Sequence, residues 1–102
     1  MLTTVNNRLD KVECDANWFY IWARNKGCST RLINVVKRGM YIYGFTLHDI
    51  CSIEDADNLT SLRSWKGMGV GTFHEFKQVF EDLKVDWGKE EVRRECGIYE
   101  TV

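Results

Sequence analysis

Lys66-Gly67-Met68-Gly69-Val70-Gly71-Thr72-Phe73-His74-Glu75-Phe76 is the stretch that decides the fold. Three glycines alternate in it, and glycine allows tight turns and exposed backbone amides that other residues disfavour. Thr72 and Glu75 have the spacing of a capping box, which marks the start of a helix. Apolar residues then recur on one helical face, which predicts an amphipathic helix from Thr72 to Leu83. Those residues are Phe73, Phe76, Val79, Phe80 and Leu83.

A glycine bend that leads into a helix is suited to binding an anion. Unpaired amides and the positive end of the helix dipole both point outward there. No strand-like run precedes the bend, and neither a Walker sequence nor Gly-x-Gly-x-x-Gly is present, which argues against a nucleotide-binding parallel sheet. The remaining interpretation is a helix–hairpin–helix turn, a motif that commonly holds a DNA phosphate without reading the sequence.

The rest of the chain also favours helices, and we predict an all-α fold, a compact bundle of five or six short helices. Proline is absent, which removes the main helix breaker. Stop and start signals divide the chain. They predict a helix from Ala16 to Lys26 capped by Asp15, a second from Ser29 to about Arg38 ended by Gly39, a short helix opened by Thr46 and Asp49, and a charged helix over 88–96.

Three segments are expected. Residues 1–28 form an N-terminal extension with an aromatic helix, residues 29–88 form the helical domain, and residues 89–102 form a charged tail or short helix. The longest apolar run, Trp18–Ala23, is too short for a membrane span or a signal-peptide core, so a cytoplasmic protein without membrane association is expected.

The residue types needed for catalysis or metal binding are not grouped. The four cysteines include no Cys-x-x-Cys pair, and the two histidines lie apart at 48 and 74. Zinc sites need clustered ligands, so no metal is expected. No nucleophile–base pair or carboxylate cluster is visible either, and we expect neither enzymatic activity nor a cofactor.

Charge is distributed unevenly although the net charge is only −1. Between Tyr20 and His48 there is no Asp or Glu, and this stretch carries Arg24, Lys26, Arg31, Lys37 and Arg38. A one-sided basic surface binds phosphates even in a nearly neutral protein. The alternative is an ordinary solvated helix face.

Three segments in order resemble the C-terminal domain of the bacterial RNA polymerase alpha subunit. The family's Arg-x-x-Asn helix, followed by an apolar pair and Lys, corresponds to residues 30–37, Thr-Arg-Leu-Ile-Asn-Val-Val-Lys. Its Thr-Ile-Gly-Asp-Leu segment corresponds to residues 46–50, Thr-Leu-His-Asp-Ile. Its Leu-Gly-Lys-Lys-Ser-Leu-x-Glu-Ile hairpin corresponds to residues 68–76. The similarity covers roughly residues 29–88.

This resemblance implies binding to A/T-rich double-stranded DNA and a role in transcription. It places Arg31 in the minor groove, where narrow A/T tracts attract arginine. It also implies contacts from Asn34, Gly69, Thr72 and Glu75. We assign Lys37, Lys66 and Gly71 to the same DNA-binding set. Backbone amides in such a set fix position without specifying bases.

Departures from the family keep other interpretations open. Gly71 stands where the family has a hairpin lysine, and Lys66 is the nearest substitute. The connection between the first two helices of the similar region, through residues 41–43, is longer than in the family. No assembly domain precedes residue 29, so a free-standing relative from a phage or other mobile element is expected. Arg31 and Asn34 could instead be ordinary surface residues. Thr72 and Glu75 could instead form a capping box with a purely structural role.

A protein-interaction module is the second functional interpretation. It would keep the fold without binding DNA, and its partner would be a transcription factor, the polymerase or a second copy of the chain. Trp18 and Trp22 lie four residues apart on one helix face, and an exposed pair of this kind would mark the interface. A helix–hairpin–helix accessory to a nuclease or helicase is a third possibility.

Overall fold

The computed structural model describes residues 7–54 and 56–95. Its elements are α1 (Asn7–Lys26), α2 (Thr30–Tyr43), α3 (Leu47–Cys51), a 3-10 helix (Ala56–Ser64) and α4 (Val70–Glu95). This part of the chain contains no β-strand. The predicted all-α fold is therefore confirmed, although α1 and α4 are longer than the short helices that were expected.

Helix α2 begins where the sequence predicts and ends later. The Ser29 hydroxyl accepts a hydrogen bond from the Leu32 amide at 3.1 Å, which confirms Ser29 as N-cap. The predicted stop at Gly39 is wrong, because Gly39 is buried inside the helix and the true C-cap is Gly44, with φ of 70°. Gly39 instead makes room for Trp65, since a Cβ at this position would lie 2.1 Å from the indole ring.

The sequence predicted Asp15 as the cap of α1, and this prediction is wrong because α1 already begins at Asn7. The buried carboxylate of Asp15 instead accepts a hydrogen bond from the Leu47 amide, at 2.8 Å, in the first turn of α3. The predicted cap of α3 is confirmed as a capping box, in which the Thr46 amide donates to the Asp49 carboxylate at 2.9 Å and the Asp49 amide donates to the Thr46 hydroxyl at 3.2 Å. The start of α3 is thus fixed partly by α1.

Helix α4 starts at Val70, two residues before the predicted start, and continues without a break to Glu95. The charged helix expected over residues 88–96 is therefore the end of α4 as far as Glu95. The remaining residues of the predicted tail, 96–102, lie outside the described residues. Gly88 lies within α4, and a Cβ there would have no heavy atom within 4 Å.

One hydrophobic core joins all these elements, and α1 is part of it. Phe19 of α1 packs edge-on against Phe76 of α4, with ring centroids 6.5 Å apart. The largest fully buried side chains come from every element: Val12, Phe19, Leu32, Met40, Leu47, Ile50, Leu59, Leu62, Phe76, Phe80, Leu83 and Trp87. Residues 7–26 therefore share the core of the expected 29–88 domain. No helix in the described ranges has the length and apolar character needed to cross a bilayer.

Candidate nucleic-acid interface

The glycine bend lies along one flank of α2. Of its alternating glycines only Gly67 has a positive φ, at 86°. A Cβ on Gly67 would lie 3.2 Å from Val35 Cγ2, so the bend passes close to α2. The amide of Gly69 then donates to the Gly67 carbonyl at 3.0 Å, and the Phe73 amide donates to the Gly69 carbonyl at 2.9 Å as α4 begins.

Gly69 and Gly71 have no structural requirement for glycine. Both are exposed, neither has a positive φ, and an added Cβ at either position would meet nothing within 4 Å. Gly71 lies in the first turn of α4, where glycine is less favourable than alanine. What these residues provide is close access to the backbone at the positive end of a 26-residue helix.

The predicted capping box between Thr72 and Glu75 is wrong. Thr72 lies inside α4 rather than before it, and its side chain is buried. The Glu75 carboxylate reaches α2 instead, where it accepts hydrogen bonds from the Ser29 amide at 2.8 Å and the Ser29 hydroxyl at 2.7 Å. Glu75 thus fixes the start of α2 against α4, and both of its oxygens are used in that contact.

The remaining predicted DNA-binding side chains are accessible, and three of them lie on α2. Arg31 and Asn34 are exposed on α2, and Lys37 is half-buried. Arg31 precedes Val35 by four residues, so the two are neighbours on the helix, and Val35 contacts the bend. Arg31 therefore lies one helical turn from the point where Gly67 approaches α2.

These cations keep their charge available. In the two described ranges no carboxylate forms an ion pair with Arg31, Lys37 or the exposed Lys66. Lys26, in contrast, lies 3.5 Å from Asp82 and 3.9 Å from Asp86. The basic stretch identified in the sequence is therefore neutralised at its α1 end near Lys26 but not along α2.

Three further cations, Arg24, Arg63 and Lys77, were not assigned to DNA binding from the sequence. Arg63 and Lys77 both approach the ring of Phe73, at 5.1 and 5.7 Å from its centroid, in the first turns of α4. Arg24 and the already assigned Lys37 both approach the ring of Tyr20, at 5.6 and 4.8 Å from its centroid. The positions of these residues depend on how α1, α2 and α4 pack, which the spacing along the chain does not give.

Trp18 and Trp22 do not form the exposed pair that an interface would need. Trp22 is only 8% exposed, and its Nε1 donates to Asp86 of α4 at 2.8 Å. Trp18 is half-buried and packs edge-on against Trp87 at 5.1 Å. Both rings join α1 to α4, because the apolar face that carries them points into the core.

Cys28 lies half-buried in the connection between α1 and α2. Burial raises the pKa of its thiol, the Glu75 carboxylate raises it further, and Lys26 acts in the opposite direction. The negative charge of Glu75 therefore acts on the Cys28 thiol, just before the N-terminal end of α2. No group of three or more metal-binding side chains occurs in the part of the chain that the structure describes.

Comparison with protein-family models, with curated proteins and with solved structures finds no match for this chain.

Proposed function

We propose that this protein is a small DNA-binding module, without enzymatic activity, that serves transcription. Arg31 would enter the minor groove of A/T-rich duplex, and the amides in the first turn of α4, which includes Gly71 and Thr72, would hold a neighbouring phosphate. Asn34, Lys37 and Lys66 would contact the backbone. We include in this proposal that the chain is related to the C-terminal domain of the RNA polymerase alpha subunit.

The observation that carries the proposal is the close approach of the glycine bend to α2, one helical turn from Arg31. Arg31 has no ion pair in the described ranges, and Gly67 of the bend approaches Val35, four residues after Arg31 on α2. Arginine is favoured in a narrow A/T groove by its negative potential, and helix N-termini bind phosphate. Glu75 and Thr72 change role here: Glu75 sets the relative position of α2 and α4, and Thr72 would contribute through its backbone amide.

The glycines offer a second argument. Retaining glycine where alanine would fit lowers helix stability by roughly 0.5–1 kcal/mol at Gly71. A backbone that must approach a phosphate closely explains this loss, because a methyl group there would hold the phosphate away.

The test is fluorescence anisotropy of A/T-rich and G/C-rich duplexes at several salt concentrations. With three to five phosphate contacts, the slope of log K against log salt is expected to be about −3 to −5. Arg31→Ala should weaken A/T-rich binding about tenfold or more and remove the A/T preference. Lys89→Ala, an exposed cation late in α4, is the matched control and should change binding little. Equal effects of the two substitutions, or no duplex binding at low salt, would refute the proposal.

Gly71→Ala separates the role of the backbone from that of the fold. The substitution should raise thermal stability, because alanine favours the helix, and should weaken DNA binding. If the variant is more stable and binds DNA as tightly as the original chain, the glycine bend is not part of the DNA interface.

A protein partner is the second candidate, and one observation favours it. Tyr41, Ile42 and Tyr43 at the end of α2 are 44, 55 and 45% exposed. Tyrosine is enriched among the residues that contribute most of the binding energy at protein interfaces. Self-association through them would make the mass seen by light scattering rise with concentration, and Ile42→Glu should abolish that rise. A mass that stays monomeric at all concentrations would argue against self-association.

A further inference from the structure

A polar groove lies between α1 and α2, next to the surface proposed for DNA. It has a volume of ≈ 380 Å³ and is lined by Tyr20, Arg24, Cys28, Thr30, Ile33 and Asn34. A cavity needs only about 10–15 Å³ of this volume to hold one water, so the groove has room for a group of phosphate size. None of the lining side chains is acidic.

The cationic end of the groove is ordered by Tyr20. Arg24 Nη1 donates to the Tyr20 hydroxyl at 2.8 Å, and Lys37 Nζ lies 4.8 Å from the centroid of the same ring. Arginine has five N–H donors, so one bond to a neutral hydroxyl orients Arg24 without neutralising it. In the described ranges no carboxylate pairs with Arg24.

The opposite end of the groove is less favourable for an anion. Cys28 and Thr30 lie there, next to Ser29, which binds the Glu75 carboxylate. The same carboxylate acts on the Cys28 thiol by raising its pKa. An anion is therefore expected near Tyr20 and Arg24 rather than near Cys28.

We propose that the Tyr20–Arg24 end of this groove binds a backbone phosphate of the same duplex, next to the phosphates held by α2. The inference rests on the proposed DNA-binding function and extends the interface from α2 onto α1. Asn34 joins the two parts, since it lies both on the exposed face of α2 and in the wall of the groove. Arg24 is a phosphate-binding residue in this arrangement, and Tyr20 is the residue that positions it.

The experiment compares duplex binding by the full chain and three variants between 50 and 200 mM salt. Arg24→Gln should weaken binding three- to tenfold and reduce the magnitude of the log–log salt slope by about one, because one phosphate contact is lost. The preference for A/T-rich DNA should not change, since a phosphate contact carries no base information. Tyr20→Phe keeps the ring but removes the hydroxyl that orients Arg24, so it should give a smaller loss of affinity.

Lys11→Gln is the charge-matched control. Lys11 is exposed on the same helix, thirteen residues before Arg24 and so about 20 Å away along the axis, beyond the Debye length of about 10 Å at 0.1 M salt. Lys11→Gln should leave the salt slope unchanged. If Arg24→Gln has the same slope and affinity as Lys11→Gln while the original chain binds duplex, the groove assignment is wrong and the α2 interface stands. If the original chain binds no duplex, both proposals fail.

Discussion

Two glycine-to-alanine substitutions are expected to change stability in opposite directions. Gly39 and Gly88 both lie inside helices, where alanine is favoured over glycine by about 0.8–1.0 kcal/mol. A Cβ at Gly88 meets nothing within 4 Å, whereas a Cβ at Gly39 would lie 2.1, 2.5 and 2.7 Å from three atoms of the Trp65 indole. Only at Gly39 must a neighbour move.

The indole of Trp65 has little room to move. It is 5% exposed, stacks on Tyr43 at 5.5 Å and meets Phe45 edge-on at 5.3 Å. Overpacking of a core typically lowers stability by about 1–3 kcal/mol, and a contact this close should fall at the upper end. Subtracting about 1 kcal/mol of helix preference, we expect Gly39→Ala to lower the free energy of unfolding by about 2 kcal/mol.

Thermal and urea unfolding followed by circular dichroism measure both changes. For a domain of this size 1 kcal/mol corresponds to roughly 4–8 °C in Tm. Gly88→Ala should therefore raise Tm by about 4–8 °C, and Gly39→Ala should lower it by about 8–16 °C. The two substitutions remove the same unfolded-state entropy, so the difference reports the folded state. If Gly39→Ala also raised Tm, the close approach of Trp65 to α2 would be refuted.

Two further variants, Asp15→Ala and Glu75→Gln, give three predictions about contacts between elements. Asp15→Ala should lower the free energy of unfolding by about 2 kcal/mol, measured by urea titration, because the buried Leu47 amide loses a charged acceptor; an unchanged midpoint would contradict this role. Glu75→Gln should lower stability by about 1 kcal/mol, since the charge-assisted bonds from Ser29 weaken but are partly exposed; a double-mutant cycle with Ser29→Gly should show coupling, and additive effects would argue against it. Glu75→Gln should also speed alkylation of Cys28 near pH 8, because loss of the negative charge lowers the thiol pKa and increases the thiolate fraction; peptide mass spectrometry measures the rate, and an unchanged rate would count against the Glu75 contribution.

Local signals predicted the helix starts that depend on neighbouring residues alone. Ser29 caps α2, and Thr46 with Asp49 forms the capping box of α3, because each partner lies within three residues along the chain. The signals failed where a distant side chain competes. Gly39 was expected to end α2, but the fit of Trp65 against it keeps the helix intact.

The acidic caps were misassigned for the same reason. Asp15 and Glu75 both have the residue type and spacing of local helix starts, yet each binds the first turn or N-cap of a different helix. Capping depends on an acceptor near unpaired amides, and spacing along the chain does not show which helix end will be nearby. The basic stretch predicted the cationic side of α2, but the groove with Tyr20 required the packing of α1 against α2.

The buried carboxylate of Asp15 has a consequence for protein engineering. Helix α1 supplies both an anion that starts α3 and the aromatic ring of Phe19 that covers Phe76. Grafting residues 29–88 onto another protein would transfer the glycine bend, Arg31 and the Thr46–Asp49 capping box, but it would leave the Leu47 amide without its Asp15 acceptor and expose an apolar surface. The surface proposed for DNA is therefore not portable without the helix that precedes it.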